Sequence, residues 1–264
     1  MVSGLAAATM PEVTEVAASV RGVTMRFGAN TVFQDVSFEV RRGEVFVILG
    51  GSGCGKSTLL KLMIGLRPPS EGRIEILGED IVAISGEARR RLKQRFGVMF
   101  QSGALFGSMS VLENVALPLA SFTDLPPEAI ERIARTKLGL VGLADAALRM
   151  PAQLSGGMIK RAAIARAIAL DPPLVFLDEP SAGLDPITSA GLDSLILSLA
   201  RDLGITFVVV THELASILTI ADRVIMLDKE AKGVIAEGDP RRLKEESTHP
   251  IVRAFFRRTE VGAG

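Results

Sequence analysis

The stretch "EVFVILGGSGCGKSTLL", Glu44 to Leu60, constrains the fold more than any other, because it makes three successive demands on the backbone. Val45 to Leu49 are apolar at every position, Gly50 to Gly55 form a glycine-rich loop, and Lys56 to Leu66 carry a helical pattern. A strand that is apolar throughout needs cover on both faces, which points to a mostly parallel sheet with helices packed against it. Leu174 to Leu177, Thr206 to Val210 and Val224 to Leu227 repeat that signature. The expected class is α/β.

Helices are predicted for Ile187 to Leu203 and from Pro127 to about Leu138, where Ile130, Ile133, Ala134 and Leu138 share one face. From about Gln101 to Leu170 strand signals almost vanish, so this region reads as a helical insert in the sheet domain. Val20 to Phe27 and Thr31 to Val40 read as strands joined through Gly28 and Asn30, with Arg73 to Leu77 as another. The first nineteen residues lack the basic start and apolar run of a signal peptide and read as a frayed lead.

With 264 residues, 48% of them hydrophobic, the chain can fill a substantial core. Thirty basic and thirty acidic residues cancel, so no charge excess points to nucleic acid or to an anionic surface. Any phosphate site must be local. One cysteine, Cys54, excludes an internal disulfide framework and fits a reducing compartment. No run approaches the ~18 to 20 apolar residues that cross a bilayer, and the expected location is cytoplasmic.

The glycine loop supplies the local phosphate site. Gly50, Gly51, Ser52, Gly53, Cys54 and Gly55 let successive backbone N–H groups turn inward on phosphate oxygens, aided by the helix start at Lys56, Ser57 and Thr58. Lys56 is placed to reach the terminal phosphates, and the Ser57 hydroxyl to hold Mg²⁺. Cys54 reads as a small filler. Downstream, "LVFLDEP" ends a buried strand on Asp178 and Glu179. The first carboxylate suits Mg²⁺ through its water shell, and the second suits a general base that orients and deprotonates an attacking water. His212 follows the strand "TFVVVT", where an imidazole can meet the γ-phosphate; His249 has no such setting.

In order and spacing, "GGSGCGKST", "FQSG", "LSGGM", "LVFLDEP", "SAGLDP" and "VTH" resemble the ATP-binding-cassette ATPases over nearly the whole chain. The resemblance implies a P-loop NTPase (RecA-like) core with a mostly parallel sheet, about residues 20–100 and 171–247. It also implies an N-terminal antiparallel β subdomain, an inserted α-helical subdomain at about 101–170, and a tail at 248–264. It implies a head-to-tail homodimer with two ATP at the interface, each held by the cradle of one chain and the signature of the other. Ser155 would then cap a helix whose Gly156 and Gly157 N–H groups receive the partner's γ-phosphate. Gln101 resembles the glutamine that touches Mg²⁺ and the attacking water, Asp185 the aspartate of the dimer interface, and Phe27 the aromatic residue stacked on adenine. With no Trp or Tyr in the chain, that ring must be Phe.

"LSGGMIKRAAIARAIALDP" and "GVMFQSGALFGSMSVLENVALPL" look like the ATPase of the Mla-type lipid transporters, which are associated with MCE proteins. That likeness implies a permease in the inner membrane, an MCE-domain lipid-binding protein, a phospholipid cargo, no nucleic acid, and a peripheral place on the cytoplasmic face. Met99, Phe100, Leu105, Phe106 and Met109 form a candidate groove for a permease helix, with core packing as the alternative. In the tail, Ile251, Phe255 and Arg258 fall at helical spacing after Pro250, packing either on their own core or on a second subunit. Rival readings are an amino-acid or metal importer ATPase, a non-transport cassette acting on DNA or ribosomes, and a P-loop kinase. Met158 replaces the family's usual glutamine, and a thioether cannot make an amide's hydrogen bonds. The Ser155 and glycine donors do not depend on it, so Met158→Gln should leave ATP hydrolysis within a few-fold in a steady-state assay; loss of most activity would contradict this.

Overall fold

The computed structural model describes residues 15–257. Most of the lead and the tail position Arg258 lie outside the described residues. The first strand, β1 (Val16–Phe27), begins four residues earlier than expected, because Ala17 and Ala18 are buried and Ala18 pairs with Ile76 across the sheet. Alanines give little strand signal on their own, so long-range pairing decides this end.

Two sheets divide the work. The antiparallel sheet has the order β2-β1-β4-β5, built from β1, β2 (Asn30–Arg41), β4 (Glu71–Ile76) and the short β5 (Glu79–Asp80). The larger sheet has the order β10-β9-β3-β8-β7-β6. Its members are β3 (Val45–Gly50), β6 (Phe96–Met99), β7 (Leu174–Asp178), β8 (Thr206–Val210), β9 (Arg223–Asp228) and β10 (Gly233–Gly238). All its pairings are parallel except β10 with β9. This is the α/β P-loop architecture.

The continuous apolar runs sort by parity. Val45, Val47 and Leu49 of β3, with Val175 and Leu177 of β7, enter one core, which faces the helical insert and α6 (Pro186–Leu203). Phe46, Ile48, Leu174 and Phe176 enter the other, shared with α1 (Lys56–Met63) and the antiparallel sheet. Arg223 ties the two sheets together: it bonds the Glu39 carbonyl of β2, pairs with Glu44 at 2.8 Å, and stacks 5.1 Å over Phe46.

Between β6 and β7 lie α3 (Val111–Phe122), α4 (Pro127–Leu140) and α5 (Gly156–Ala167). The sequence reading missed α3, whose interior Pro118 conceals a capping box: Glu113 N–H donates to Ser110 Oγ, and Ser110 N–H to Glu113 Oε2. The remaining helices are α2 (Gly86–Gln94), α7 (Leu214–Ile220), α8 (Pro240–Glu246) and α9 (Pro250–Arg257). Val252 and Phe256 of α9 are buried in the chain's own core. Among the described residues no helix is long and apolar enough to cross a membrane.

The insert is joined closely to the sheet where β6 passes α5. A Cβ on Gly97 would lie 2.1 Å from the Ala167 carbonyl oxygen, so only glycine lets strand and helix approach this far. Gly97→Ala should destabilise the protein by about 2 kcal/mol or more, as overpacking does. Urea denaturation should show a lower midpoint at an unchanged slope.

Candidate nucleotide site

The site begins where the parallel strands stop. Register aligns Ile48 of β3 with Val210 of β8, and Val210 with Asp178 of β7, so three strand ends share one edge of the sheet. Gly50 and Gly55 are required there for different reasons. At Gly50 (φ 149°) a Cβ would fall 2.3 Å from the Leu227 carbonyl oxygen, and at Gly55 (φ 102°) 2.7 Å from Val32. Cys54 is fully buried behind the loop, which fits the filler reading, and burial pushes its thiol pKa up.

A cavity of about 750 Å³ opens over this loop. Gly50, Gly51, Ser52, Gly53, Gly55, Lys56, Ser57, Thr58, Gln101, Glu179 and His212 line it, together with Val32 and Phe255. The last two were not singled out as site residues: Val32 comes from the antiparallel sheet and Phe255 from α9, and only tertiary folding brings them here. Phe27 does not line the cavity. It is 44% exposed, which excludes a core role, and the Arg67 guanidinium lies 4.9 Å over its ring.

Lys56 folds back across the loop, donating to the Gly50 carbonyl at 2.8 Å and the Gly51 carbonyl at 3.0 Å. Ser57 Oγ donates to Asp178 Oδ1 at 3.1 Å. This hydroxyl and carboxylate make a hard oxygen pair suited to Mg²⁺. Burial pushes the Asp178 carboxyl pKa up, opposed by the Ser57 hydrogen bond.

Glu179 lies one residue beyond β7 in the left-handed region, at φ 49°, with its N–H on the Val210 carbonyl at 2.8 Å. Its Oε1 lies 2.9 Å from His212 Nδ1, while Oε2 is buried without a hydrogen-bond partner. With the carboxylate ionised, the proton of this pair lies on His212 Nδ1. An unpartnered buried carboxylate oxygen on the wall of a cavity is an acceptor open to a donor. The narrow glycine cradle, the oxygen pair and the unpartnered Oε2 together fit ATP with Mg²⁺.

The signature residues lie elsewhere. Ser155 caps α5, its Oγ accepting from Met158 N–H at 3.4 Å, yet Ser155, Gly156 and Gly157 are not among the residues lining the cavity. Gly157 has an intrachain reason to be glycine, since a Cβ there would lie 2.4 Å from Thr188 Cγ2. Asp185 caps α6, accepting from the N–H groups of Ile187 and Thr188 at 3.0 Å each. The Thr188 hydroxyl also holds its carboxyl below the usual range.

The groove read around Gln101 does not form as expected. Met99 is fully buried in the core and Phe100 packs on the opposite core, whereas Phe106 is 51% exposed. Met99 and Phe100 therefore pack toward opposite cores and do not share a groove, while Leu105 packs against the same core as Met99. Buried Asn114 shapes the loop that presents Phe106, accepting from its N–H at 2.8 Å and donating to the Phe106, Met109 and Ser110 carbonyls.

Residues 33–182 match the family described as ABC transporter. The chain is 44% identical to the "Intermembrane phospholipid transport system ATP-binding protein MlaF" of Escherichia coli (strain K12), over 89% of this chain and 87% of that protein. It is 41% identical to the "Probable ribonucleotide transport ATP-binding protein mkl" of Mycobacterium leprae (strain TN), over 94% of this chain and 70% of that protein. Among solved structures, a dimeric ATP-binding cassette in a post-hydrolysis state bound to ADP and Pi matches with a TM-score of 0.76 at 31% identity, covering 84% of this chain and 98% of that one.

The raised Asp178 pKa yields a prediction. A folded-state pKa above the unfolded value favours the protonated form, so its contribution to stability is present at low pH and is lost as pH rises through the folded pKa. At neutral pH the ionised carboxylate is therefore a burden on the nucleotide-free fold. Asp178→Asn should raise the Tm of the nucleotide-free protein and abolish the further rise that MgATP gives the parent.

Proposed function

Because the chain belongs to the ABC transporter family and is an ATP-hydrolysing cassette, we propose that it is the motor subunit of a transporter that moves phospholipids between the inner and outer membranes. The convergence of Lys56, Ser57, Gln101, Glu179 and His212 on one cavity at the strand ends, with Asp178 bonded to Ser57, carries the motor reading. The near-full-length likeness to MlaF supports the cargo.

Lys56 neutralises phosphate charge alongside the inward N–H groups of the loop. Ser57 and Asp178, with Gln101 lining the same cavity, would hold Mg²⁺, which when bound would supply charge neutralisation at the phosphate oxygens. Glu179 Oε2 accepts a proton from water while that water's oxygen bonds to the γ-phosphorus; the bond to the β–γ bridging oxygen breaks, giving ADP and phosphate. His212 holds the other carboxylate oxygen and fixes the direction of Oε2.

Ser155, Gly156 and Gly157 lie off their own chain's cavity, which supports a head-to-tail homodimer in which this helix start meets the partner's ATP. Two ATP then sit at the interface. Phe27, backed by Arg67, offers a ring to adenine, and Asp185 lies at the subunit boundary. The exposed Phe106 is the contact offered to an integral membrane permease, with an MCE-domain protein carrying the lipid. The chain itself sits peripherally on the cytoplasmic face of the inner membrane.

Glu179→Gln should bind ATP, accumulate as the closed dimer and turn over at no more than a few per cent of the parent rate; near-normal turnover removes Glu179 as the base. The transport reading is tested by mass spectrometry of proteins and lipids that co-purify with the tagged chain from mildly solubilised native membranes. A multi-span permease arriving with an MCE-domain protein and phospholipid is expected. A permease with a solute-binding protein would replace the lipid cargo with a small solute and leave the motor assignment standing.

A further inference from the structure

Helix α5 reaches the back of the catalytic cavity through two cations that bond main-chain carbonyls, buried Lys160 and half-buried Arg166. Arg166 donates to the carbonyls of Gly103 at 2.9 Å and Ala104 at 2.8 Å. Lys160, only 6% exposed, donates to the carbonyls of Gln101 and, at 3.3 Å, Glu179. Both hold the loop that follows β6, but Lys160 alone of the two also grips the residue that carries the base.

That second bond falls where the backbone needs it. Glu179 is a non-glycine residue at φ 49°, a conformation that persists only where its surroundings determine it fully. Its peptide is held on one side by its N–H on Val210 and on the other by Lys160 on its carbonyl. Among the described residues Lys160 makes no ion pair with a carboxylate, so its ammonium is spent on these two carbonyls. Burial pushes its pKa down, while the charges of Glu179, Asp178 and Glu213 pull it back up.

We propose that Lys160 is a positioning residue for hydrolysis: it pins the Glu179 backbone and the Gln101 loop to the helix that begins at Ser155, so that a load on this helix start is transmitted to the alignment of the base. The path is short and continuous. Ser155 caps the helix, Lys160 lies little more than one turn further on, and its side chain ends on two residues that line the cavity. The inference rests on the reading of Glu179 as the general base.

The test uses the complex that co-purifies with the full chain from its own membranes, comparing E179Q, K160M and K160R. Methionine matches the length of lysine and removes the donor, whereas arginine keeps donors for both carbonyls. K160M should lower kcat by about tenfold or more, since a small misplacement of a reacting group is costly, while KM for ATP stays within about twofold. K160R should recover most of the lost kcat. The proposal is overturned if K160M turns over within twofold of the parent, if K160R is as impaired as K160M, or if KM rises as much as kcat falls. Should K160M fail to fold, K160Q carries the same test, its amide being too short to span both carbonyls: reduced kcat at unchanged KM supports the tether, and unchanged kcat overturns it. E179Q separates the two levels, because turnover retained there removes the base itself, whereas an inactive E179Q beside a normal K160M removes only the tether.

Discussion

The hydrogen-bond register of β3, β8 and β7 is the constraint on which the rest of the molecule depends. Parallel pairing lines up Ile48, Val210 and Asp178, so the glycine loop, the two carboxylates and His212 leave the sheet at one edge although they are far apart in the chain. A parallel sheet has to be covered on both faces, and the covering is visible as the parity by which side chains of each strand enter separate cores. The site lies at the carboxyl ends of strands, where an open α/β sheet leaves a crevice. A slip of one residue in β7 would turn Asp178 away from Ser57 and mix the two cores at once.

On this frame the polar groups are held under tension between two demands. Lys56 bonds the carbonyls of Gly50 and Gly51, within the loop that lines the cavity. Asp178 is kept buried, where its charge is disfavoured, beside the hydroxyl that would share a cation with it. Glu179 keeps one oxygen on His212 and the other without a partner. Of these, the buried charge of Asp178 and the unpartnered Glu179 oxygen are unfavourable, and on the proposed function both would gain partners with a bound polyphosphate and divalent cation. The site is built for its occupied form.

Legibility in the sequence followed the physics of each element. The cradle was readable because glycine at Gly50, Gly53 and Gly55 answers a local backbone demand, and the central strands because burial on both faces leaves an unbroken apolar run. β6 was not readable: it has four residues, one of them Gly97, whose reason for being glycine is a helix seventy positions downstream. Pro118 masked α3 although Ser110 and Glu113 announced its start. Met99 entered the wrong cluster because neighbours in sequence along a strand face opposite ways. Phe255 was legible only as part of a helix face and Lys160 not at all, since what matters about them is which distant backbone or cavity they reach.

Gly157 bears two burdens that a catalogue of sequences would not separate. Its missing side chain bares an N–H at a helix start, and it also admits the Thr188 methyl group to a distance that alanine would close. Thr188 in turn bonds Asp185, so the starts of α5 and α6 are locked together as one piece. A descendant of this chain that had lost every use for ATP would still be held to glycine at 157 by the fit of those two helices. Glycine at 157 is therefore demanded by the fit of two helices independently of any chemistry at the helix start, a demand that does not extend to Lys56 or Glu179.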